Sequence, residues 1–485
     1  MSTVRQKSLG QYFTPPEAAE TLVRWIVRKP SDRMLDPSCG DGRFLACHRK
    51  SVGVEFDSNN AALAKQRAPW SLIHTGDFFR WATESKERFE CVGGNPPFIR
   101  YQSFKGEVRS EALAAASMMG ANFSKLTSSW APFVIVAAGL LKPGGRMGFV
   151  VPAEIGYAGY ARELIPALCS HFDEVRLIAY REKLFPDLSE DCWLLVCSGF
   201  GGRCGTIHLS TEERFNSSDF PPSHTRRISL REWLEAGGRL RPFLISQDAS
   251  RLYLDLCSQP TVMRHGEIAS ASIGYVTGAN DFFHVRPSEA TRWGVPEAFF
   301  RIAVGKSGQL PDRRIDRATV RQWIAEDRPV LLLDLKQHRE LPPAVSAYLE
   351  SPSGHVARKA YKCRVRSPWY GVPDVKTPHA FLSVMCGKNP VMVENAAGCV
   401  GTNSLHAVTL RDPKKLKAMV DGWRSPLARL GAELEGHSLG GGMLKLEPSE
   451  AARVPVPMRP MKLTPGDESK LDQAIREARS WRHHE

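Results

Sequence analysis

Apolar positions in the first two hundred residues alternate between short strand-like runs and helical spacing, predicting an α/β order. An amphipathic helix is predicted to run to Val27, with Thr14 as its N-cap, Pro15 at the first helical position and Glu17 in the first turn. Arg33-Met34-Leu35-Asp36-Pro37-Ser38-Cys39-Gly40-Asp41-Gly42-Arg43-Phe44-Leu45 reads as a strand, a glycine turn and a helix. Second, third and fourth strands are expected at Val52–Asp57, Ser71–Phe79 and Cys91–Gly94. A buried helix at Trp130–Leu141, closed by Lys142-Pro143-Gly144-Gly145, leads to a strand at Arg146–Val151. Two further strands, Glu174–Tyr180 and Cys192–Cys197, bracket Leu184-Phe185-Pro186-Asp187, and Lys105–Leu126 shows no clear period. Ser, Pro and Asp around Asn216–Arg227 suggest a linker at 216–230 between domains at 1–215 and 231–485. The later domain mixes short strands, helices and turns, an α+β pattern.

The strand ends change this picture from fold to chemistry. Four consecutive strands of an open, mostly parallel sheet would deliver Asp36, Glu55, Asp77 and Asn95 to one edge, where ligands bind in such sheets. Gly40 and Gly42 let the backbone approach a ligand closely, and the next helix offers its N–H groups. Glu55, nineteen residues beyond Asp36, suits paired ribose hydroxyls, and Asp77 could accept from an adenine amino group. In Asn95-Pro96-Pro97-Phe98 the prolines fix the backbone and remove competing N–H groups. Side-chain and main-chain carbonyls can then take an amino group while the aromatic ring takes a flat face.

Charge adds a partner. The chain of 485 residues carries a formal net charge of +13. Residues 1–200 hold 24 Lys/Arg against 21 Asp/Glu, so most of the excess lies beyond them, which suggests a polyanion surface there. Lys362-Cys363-Arg364-Val365-Arg366-Ser367-Pro368-Trp369-Tyr370 and Thr402-Asn403-Ser404-Leu405-His406 interleave basic, polar and aromatic groups. Lys362, Arg364, Arg366, Trp369, Asn403 and His406 are therefore candidate nucleic-acid contacts, and Gly440-Gly441-Gly442 a turn or a phosphate approach. No apolar run approaches the ~18 residues of a membrane span. The 11 cysteines lack paired spacing, so a reducing cytoplasm is expected, with no metal site and no disulfide.

Taken in order, Gly10-Gln11-Tyr12-Phe13-Thr14-Pro15-Pro16, Asp36-Pro37-Ser38-Cys39-Gly40-Asp41-Gly42, Glu55, Asp77 and Asn95-Pro96-Pro97-Phe98 resemble the gamma-class, Taq-type DNA adenine-N6 methyltransferases over residues 7–200. The resemblance implies a class I, Rossmann-like, mostly parallel seven-stranded sheet with S-adenosylmethionine as cofactor. It implies that Thr14 and the backbone around Ser38, Cys39, Gly40 and Gly42 hold the methionine part, that Asp36 also belongs to the cofactor site, that Glu55 holds the ribose and Asp77 the adenine, and that Phe78 and Phe133 lie near the cofactor. Phe98 and Phe185 would cradle a flipped target base, and Asn95 and Pro96 would hold its amino group. Asp41 stands where many relatives have a small hydroxyl residue, and Phe98 where many have tyrosine. The second half resembles, more loosely, target-recognition domains, through Tyr275–Phe282 and the Trp369, Asn403 and Gly440 stretches.

These implications define an enzyme acting on double-stranded DNA, with a monomer and a cognate restriction endonuclease or defence partner as further expectations. Alternatives stay open at this level. One is an RNA or protein-glutamine methyltransferase, and another a non-catalytic DNA-binding subunit. A third is a bifunctional restriction enzyme, in which Pro311-Asp312 with Asp334-Leu335-Lys336 would form a nuclease site.

Overall fold

The computed structural model describes residues 14–100, 102–185, 191–338, 340–439 and 442–483. The sequence motif around Gly10–Phe13, Pro186-Asp187 of the Phe185 connection, and Gly440-Gly441 lie outside the described residues. The chain divides into two compact units, Met1–Leu244 and Ile245–Glu485.

In the first unit, nine strands form one mixed sheet: β1 (Met34–Asp36), β2 (Ser51–Glu55), β3 (Leu72–Thr75), β4 (Phe89–Gly94), β5 (Leu141–Pro152), β6 (Phe172–Tyr180), β7 (Cys192–Phe200), β8 (Thr206–Glu212) and β9 (Arg226–Ser229). Their spatial order is β3-β2-β1-β4-β5-β7-β6-β8-β9. β3 to β5 are mutually parallel across their ladders, and β7 runs antiparallel between β5 and β6. These seven strands match the expected sheet; β8 and β9 widen it by two. β1 and β2 are buried at every position, as expected of central strands covered on both faces.

Helices cover the sheet: α1 (Pro16–Ile26), α2 (Arg43–Ala46), α3 (Ser58–Arg67), α4 (Phe78–Glu84), α5 (Gly106–Met118), α6 (Trp130–Ala138) and α7 (Ala161–Cys169). α1 places Ala18, Ala19, Leu22, Val23 and Ile26 in the core on helical spacing. All nine residues of α6 are buried, which accounts for its uniformly apolar composition. The aperiodic stretch after Lys105 is a helix, α5, buried only at Ala112 and Ala116; small contact residues leave no strong apolar stripe to read.

Three expectations need correction. Helix α1 begins one residue late, with Pro15 as N-cap and no side-chain cap bond. A cap at Thr14 would have to bond an N–H of the next turn, and two of its first three residues are prolines without one. Lys142–Gly145 is no simple helix terminator: it lies within β5, where the ladder to β4 shifts register between Phe89 and Cys91, an irregularity that glycines accommodate. The segment 216–230 is no free linker, because β9 pairs with β8 and the first unit continues to Leu244.

The second unit is α+β. A five-stranded sheet orders Ala269–Ile273, Leu405–Leu410, Ala380–Ser383, Met392–Asn395 and Arg314–Ile315, and a four-stranded sheet contains Phe300–Val304 and Leu331–Leu333. Phe282, Phe283, Tyr348 and Leu332 lie in one of its apolar cores. Among the described residues, no helix is long and apolar enough to cross a membrane.

Candidate functional site

The ends of β1, β2 and β4 meet as the strand order requires. Asp36 ends β1 and is 1% exposed; its carboxyl accepts from the Ser38 N–H at 3.2 Å, folding the chain back over the strand end. Cys39 donates its N–H to the Val54 carbonyl at 3.0 Å, and Gly76 donates to the Glu55 carbonyl at 2.9 Å, so backbone bonds join successive strand ends. Gly94 belongs to this packing. A Cβ at position 94 would stand 2.5 Å from Asp36 Oδ1, so only glycine lets β4 pass the buried carboxyl.

Two carboxylates organise the glycine turn. Glu55 accepts the Gly40 N–H at 2.9 Å and the Asp57 N–H at 2.8 Å. Gly42 has φ +84, and its Cβ would meet the Ala64 backbone at 2.8 Å, so this position needs glycine for both reasons. Burial pushes the Glu55 carboxyl above its ordinary range and carries Asp36 to about 8, with the Ser38 N–H acting against the shift. Asp36 therefore retains its proton at neutral pH, and a cation beside it would be the natural reason to release it. The extra acid at Asp41 carries no loose charge. Arg67 pairs with its carboxylate at 2.5 Å and Arg43 at 3.3 Å.

The turn is joined to the Asn-Pro-Pro-Phe segment. Ser38 Oγ donates to the Asn95 carbonyl at 3.0 Å. On the other side, Ser129 Oγ donates to the Pro97 carbonyl at 2.5 Å and accepts the Ile99 N–H at 3.0 Å, while its own N–H donates to the Ile99 carbonyl at 3.0 Å. Asn95, Pro97 and Phe98 are half-buried and Pro96 is buried. Phe98 packs against the apolar cluster that contains Tyr180, Leu184 and Phe185. The two aromatics named as walls thus share one cluster, with Phe185 6% exposed.

Other expected residues sit differently. Asp77 caps α4, accepting the Arg80 N–H at 3.1 Å. Phe78 and Phe133 are buried and pack on each other with ring planes tilted by 33° and centroids 4.4 Å apart. Cys39 is buried, and a Cβ at Gly53 would stand 2.7 Å from its sulfur. Thr14 accepts no cap bond; its carbonyl accepts from Arg43 at 2.9 Å, and its hydroxyl is buried without a hydrogen-bond partner among the described residues.

Two residues escaped the sequence reading. Ser129 precedes a buried helix, so a cap is the obvious assignment, yet its φ/ψ are already helical and its hydroxyl serves the Pro97–Ile99 backbone instead. Phe56, between Glu55 and Asp57 at the end of β2, is 69% exposed. A large aromatic between two carboxylates at a strand end was the available signal.

The second-unit candidates divide. Lys362 and Arg364 are exposed on a short helix, with their charged groups 5.9 and 6.0 Å from the Tyr361 ring centroid. Asn403 is exposed. Arg366 turns inward and donates to the Thr277 carbonyl at 2.6 Å and to the Val276 carbonyl, and Trp369 packs on Phe282 and Phe283. His406 is corrected from surface to core. It is 1% exposed with Nε2 2.6 Å from the Leu446 carbonyl, and burial lowers its pKa. Of the Pro311-Asp312 pattern, the exposed Asp312 carboxylate accepts from Arg424 on both oxygens at 3.0 Å.

The sheet order with its glycine turn is that of a class I methyltransferase unit, and a family model described as N-6 DNA Methylase, which matches residues 1–196, makes S-adenosylmethionine its cofactor. A second model, Type II methyltransferase M.Eco57I, C-terminal domain, matches residues 238–484, more than half of the sequence, and the chain belongs to this family of Type II methyltransferases. The methyltransferase resemblance carried by the motif order therefore holds. M.XamI of Xanthomonas campestris pv. amaranthicola, a Type II methyltransferase, is 23% identical over 93% of this chain and 86% of its own length. M.TthHB8I of Thermus thermophilus is 30% identical, over 31% of this chain and 36% of that protein. Among solved structures, the Type IIL restriction-modification enzyme MmeI in complex with DNA shares the fold with TM-score 0.51 at 12% identity, covering 87% of this chain and 65% of that one. The chain thus spans about a third of M.TthHB8I and about two thirds of MmeI.

Proposed function

We propose that the protein transfers a methyl group from S-adenosylmethionine to the N6 amine of an adenine turned out of duplex DNA. The observation that carries this reading is the bond from Ser38 Oγ to the Asn95 carbonyl. It holds the glycine turn and the Asn-Pro-Pro-Phe segment in one register. The site fits the cofactor on its own terms. A buried Thr14 hydroxyl has no partner among the described residues, a buried Asp36 carboxyl gains from an adjacent ammonium, and the Phe56 face stands exposed beside Glu55. When bound, S-adenosylmethionine supplies an electrophilic methyl group.

The chain's contribution is orientation. Adenine's amino nitrogen is a weak nucleophile because its lone pair is delocalised into the ring. Asn95 Oδ1 and the Pro96 carbonyl would each accept one amino hydrogen, drawing the nitrogen toward tetrahedral geometry and freeing the pair for in-line attack. No strong base is required, since the proton leaves after the methyl arrives. Alignment of this kind is worth about 7 kcal/mol or more. Turning the base out costs a few kcal/mol, offset by stacking on Phe98 at roughly 1–3 kcal/mol per base. Phe185 is buried in the Phe98 cluster, so its use as a second wall requires that cluster to open at Leu184-Phe185.

The DNA substrate is supported by the N-6 DNA Methylase match, by the basic excess beyond residue 200, and by the fold shared with an enzyme solved on DNA. Labelled methyl transfer to DNA, RNA and protein tests it, with modified positions then mapped by sequencing. Label on RNA or protein in place of DNA overturns the substrate assignment. Asn95→Ala should bind cofactor and DNA while transfer falls about 10²–10³-fold, the scale of one lost transition-state hydrogen bond; wild-type rates in that variant would refute the orientation mechanism.

A further inference from the structure

The second unit carries one surface that packing does not explain. α8 (Pro352–Lys359) and α9 (Tyr361–Arg364) follow each other with only Ala360 between them. Their inner side is fixed. Ala357 and Cys363 are buried, Cys363 Sγ donates to the Thr277 carbonyl at 3.5 Å, and Arg366 donates to the same carbonyl. Gly278 lies so close that a Cβ there would meet Lys362 Cβ at 2.7 Å. A helical surface element held this tightly by its inner face has its outer face defined.

That outer face combines two kinds of side chain that rarely share a surface without a partner. Val356, Tyr361 and Val365 are 71%, 65% and 60% exposed. Arg358, Lys359, Lys362 and Arg364 are exposed between them, and none pairs with a carboxylate among the described residues. No Asp or Glu occurs between Glu350 and Asp374. Single exposed apolar residues are ordinary. Three within ten positions, interleaved with four unpaired cations, form a wedge in a cationic frame.

We propose that the α8–α9 ridge is an element of the second unit that enters a groove of the substrate duplex, with Tyr361 and Val365 against the bases and Lys359, Lys362 and Arg364 on phosphates. This rests on DNA being the substrate. The occupant follows from charge complementarity: the ridge needs a polyanion with apolar faces, and stacked base pairs between phosphate rows supply both. The Tyr361 ring, already under two cations, offers a flat face without losing its frame. A protein partner would have to present an acidic and apolar surface instead.

The full chain is titrated with a short random-sequence duplex at several salt concentrations, and transfer is measured on sheared genomic DNA. Tyr361→Ala with Val365→Ala should weaken duplex binding about tenfold to 100-fold with the salt slope preserved, while Tyr361→Phe stays near wild type. Lys362→Gln with Arg364→Gln should reduce the slope of log affinity against log salt by about 2. In the unaltered protein, acetylation of Lys359 and Lys362 read by mass spectrometry should fall when duplex is added. Wild-type binding by the Tyr361/Val365 variant, or unchanged lysine reactivity on DNA, overturns the ridge. Protection by a cellular protein and not by DNA overturns it in favour of a protein partner. If the unaltered chain methylates no DNA, the functional reading itself fails; if it does and the ridge variants match it, only the ridge fails.

Discussion

The glycine-turn edge of the first unit and the α8–α9 ridge of the second are both rich in polar groups, and they use them in opposite ways. At the edge, Glu55 holds Gly40 and Asp57, Asp36 holds Ser38, Ser38 holds Asn95, and Ser129 holds Pro97 and Ile99. Even the added charge of Asp41 is taken by Arg43 and Arg67. On the ridge, four cations stand without acidic partners among the described residues. A site that performs chemistry on one small group must fix its own backbone, because misplacement by an ångström is costly. A surface that meets a long polyanion gains from leaving its charges unspent.

If that contrast is real, internal and outward charges of the second unit should answer differently to substitution. Glu433 provides the largest effect. Its carboxylate accepts from Arg482 at 2.8 and 2.9 Å and from Arg479 at 2.9 Å, and both Glu433 and Arg482 are buried. Glu433→Ala should cost about 3–5 kcal/mol by leaving Arg482 buried and uncompensated, measured by denaturant unfolding. An unchanged midpoint would put Arg482 with the outward cations and erase the distinction.

At the edge, Ser129 is the sharper probe, since it touches no reacting atom in the proposed scheme. Ser129→Ala leaves the Ile99 N–H without its hydroxyl acceptor, a loss of about 1–3 kcal/mol. As a positioning residue it should lower kcat about tenfold or more, by misplacing Pro97 and hence Asn95, and leave cofactor affinity as it was. Equal losses in kcat and in cofactor binding would show a general loosening and no specific positioning.

How much of this could be read from sequence also follows the contrast. Asp36, Glu55, Gly40, Gly42 and Asn95 were legible because short-range backbone geometry dictates them: strand ends, left-handed glycines and carboxylates within reach of loop amides. Ser129 was not, because its partners lie thirty-two and thirty residues away and only the folded sheet brings them to it. In the second unit, Lys362, Arg364 and Arg366 are indistinguishable by composition. The fold alone turns Arg366 toward Thr277 and leaves the others outside. His406 was misjudged for the same reason: on a strand, alternate residues face opposite ways, and the register of Leu405–Leu410 puts it inside.

Asp36 gives a smaller, pH-resolved effect. Burial lifts its carboxyl to about 8 from an ordinary value near 3.8. The folded protein therefore binds a proton that the unfolded chain gives up, and the contribution of Asp36 to stability declines as pH rises from about 4 to about 8. A cation beside Asp36 favours the ionised form, so binding S-adenosylmethionine should expel the proton. Affinity should then fall about tenfold per pH unit below the Asp36 value, with proton release seen as a dependence of calorimetric enthalpy on buffer ionisation. An affinity flat across this range would leave Asp36 a packing residue, and the edge would lose one of its reasons for being buried.

The smallest expected effect tests the comparison within five residues of chain. Arg366 donates to the Thr277 and Val276 carbonyls, and Lys362, four residues earlier, points outward over Tyr361. Arg366→Gln should destabilise the second unit by about 1 kcal/mol through its lost carbonyl bonds, whereas Lys362→Gln should stay within about 0.5 kcal/mol of wild type, as surface changes do. On DNA the order reverses: Lys362→Gln should lower the salt slope by about 1, and Arg366→Gln should leave the slope intact. Matching stability losses would mean that both side chains serve the fold. Matching slopes would mean that Arg366 releases its carbonyls to reach phosphate, and the division between spent and unspent charge would be set by the DNA and not by the folded chain.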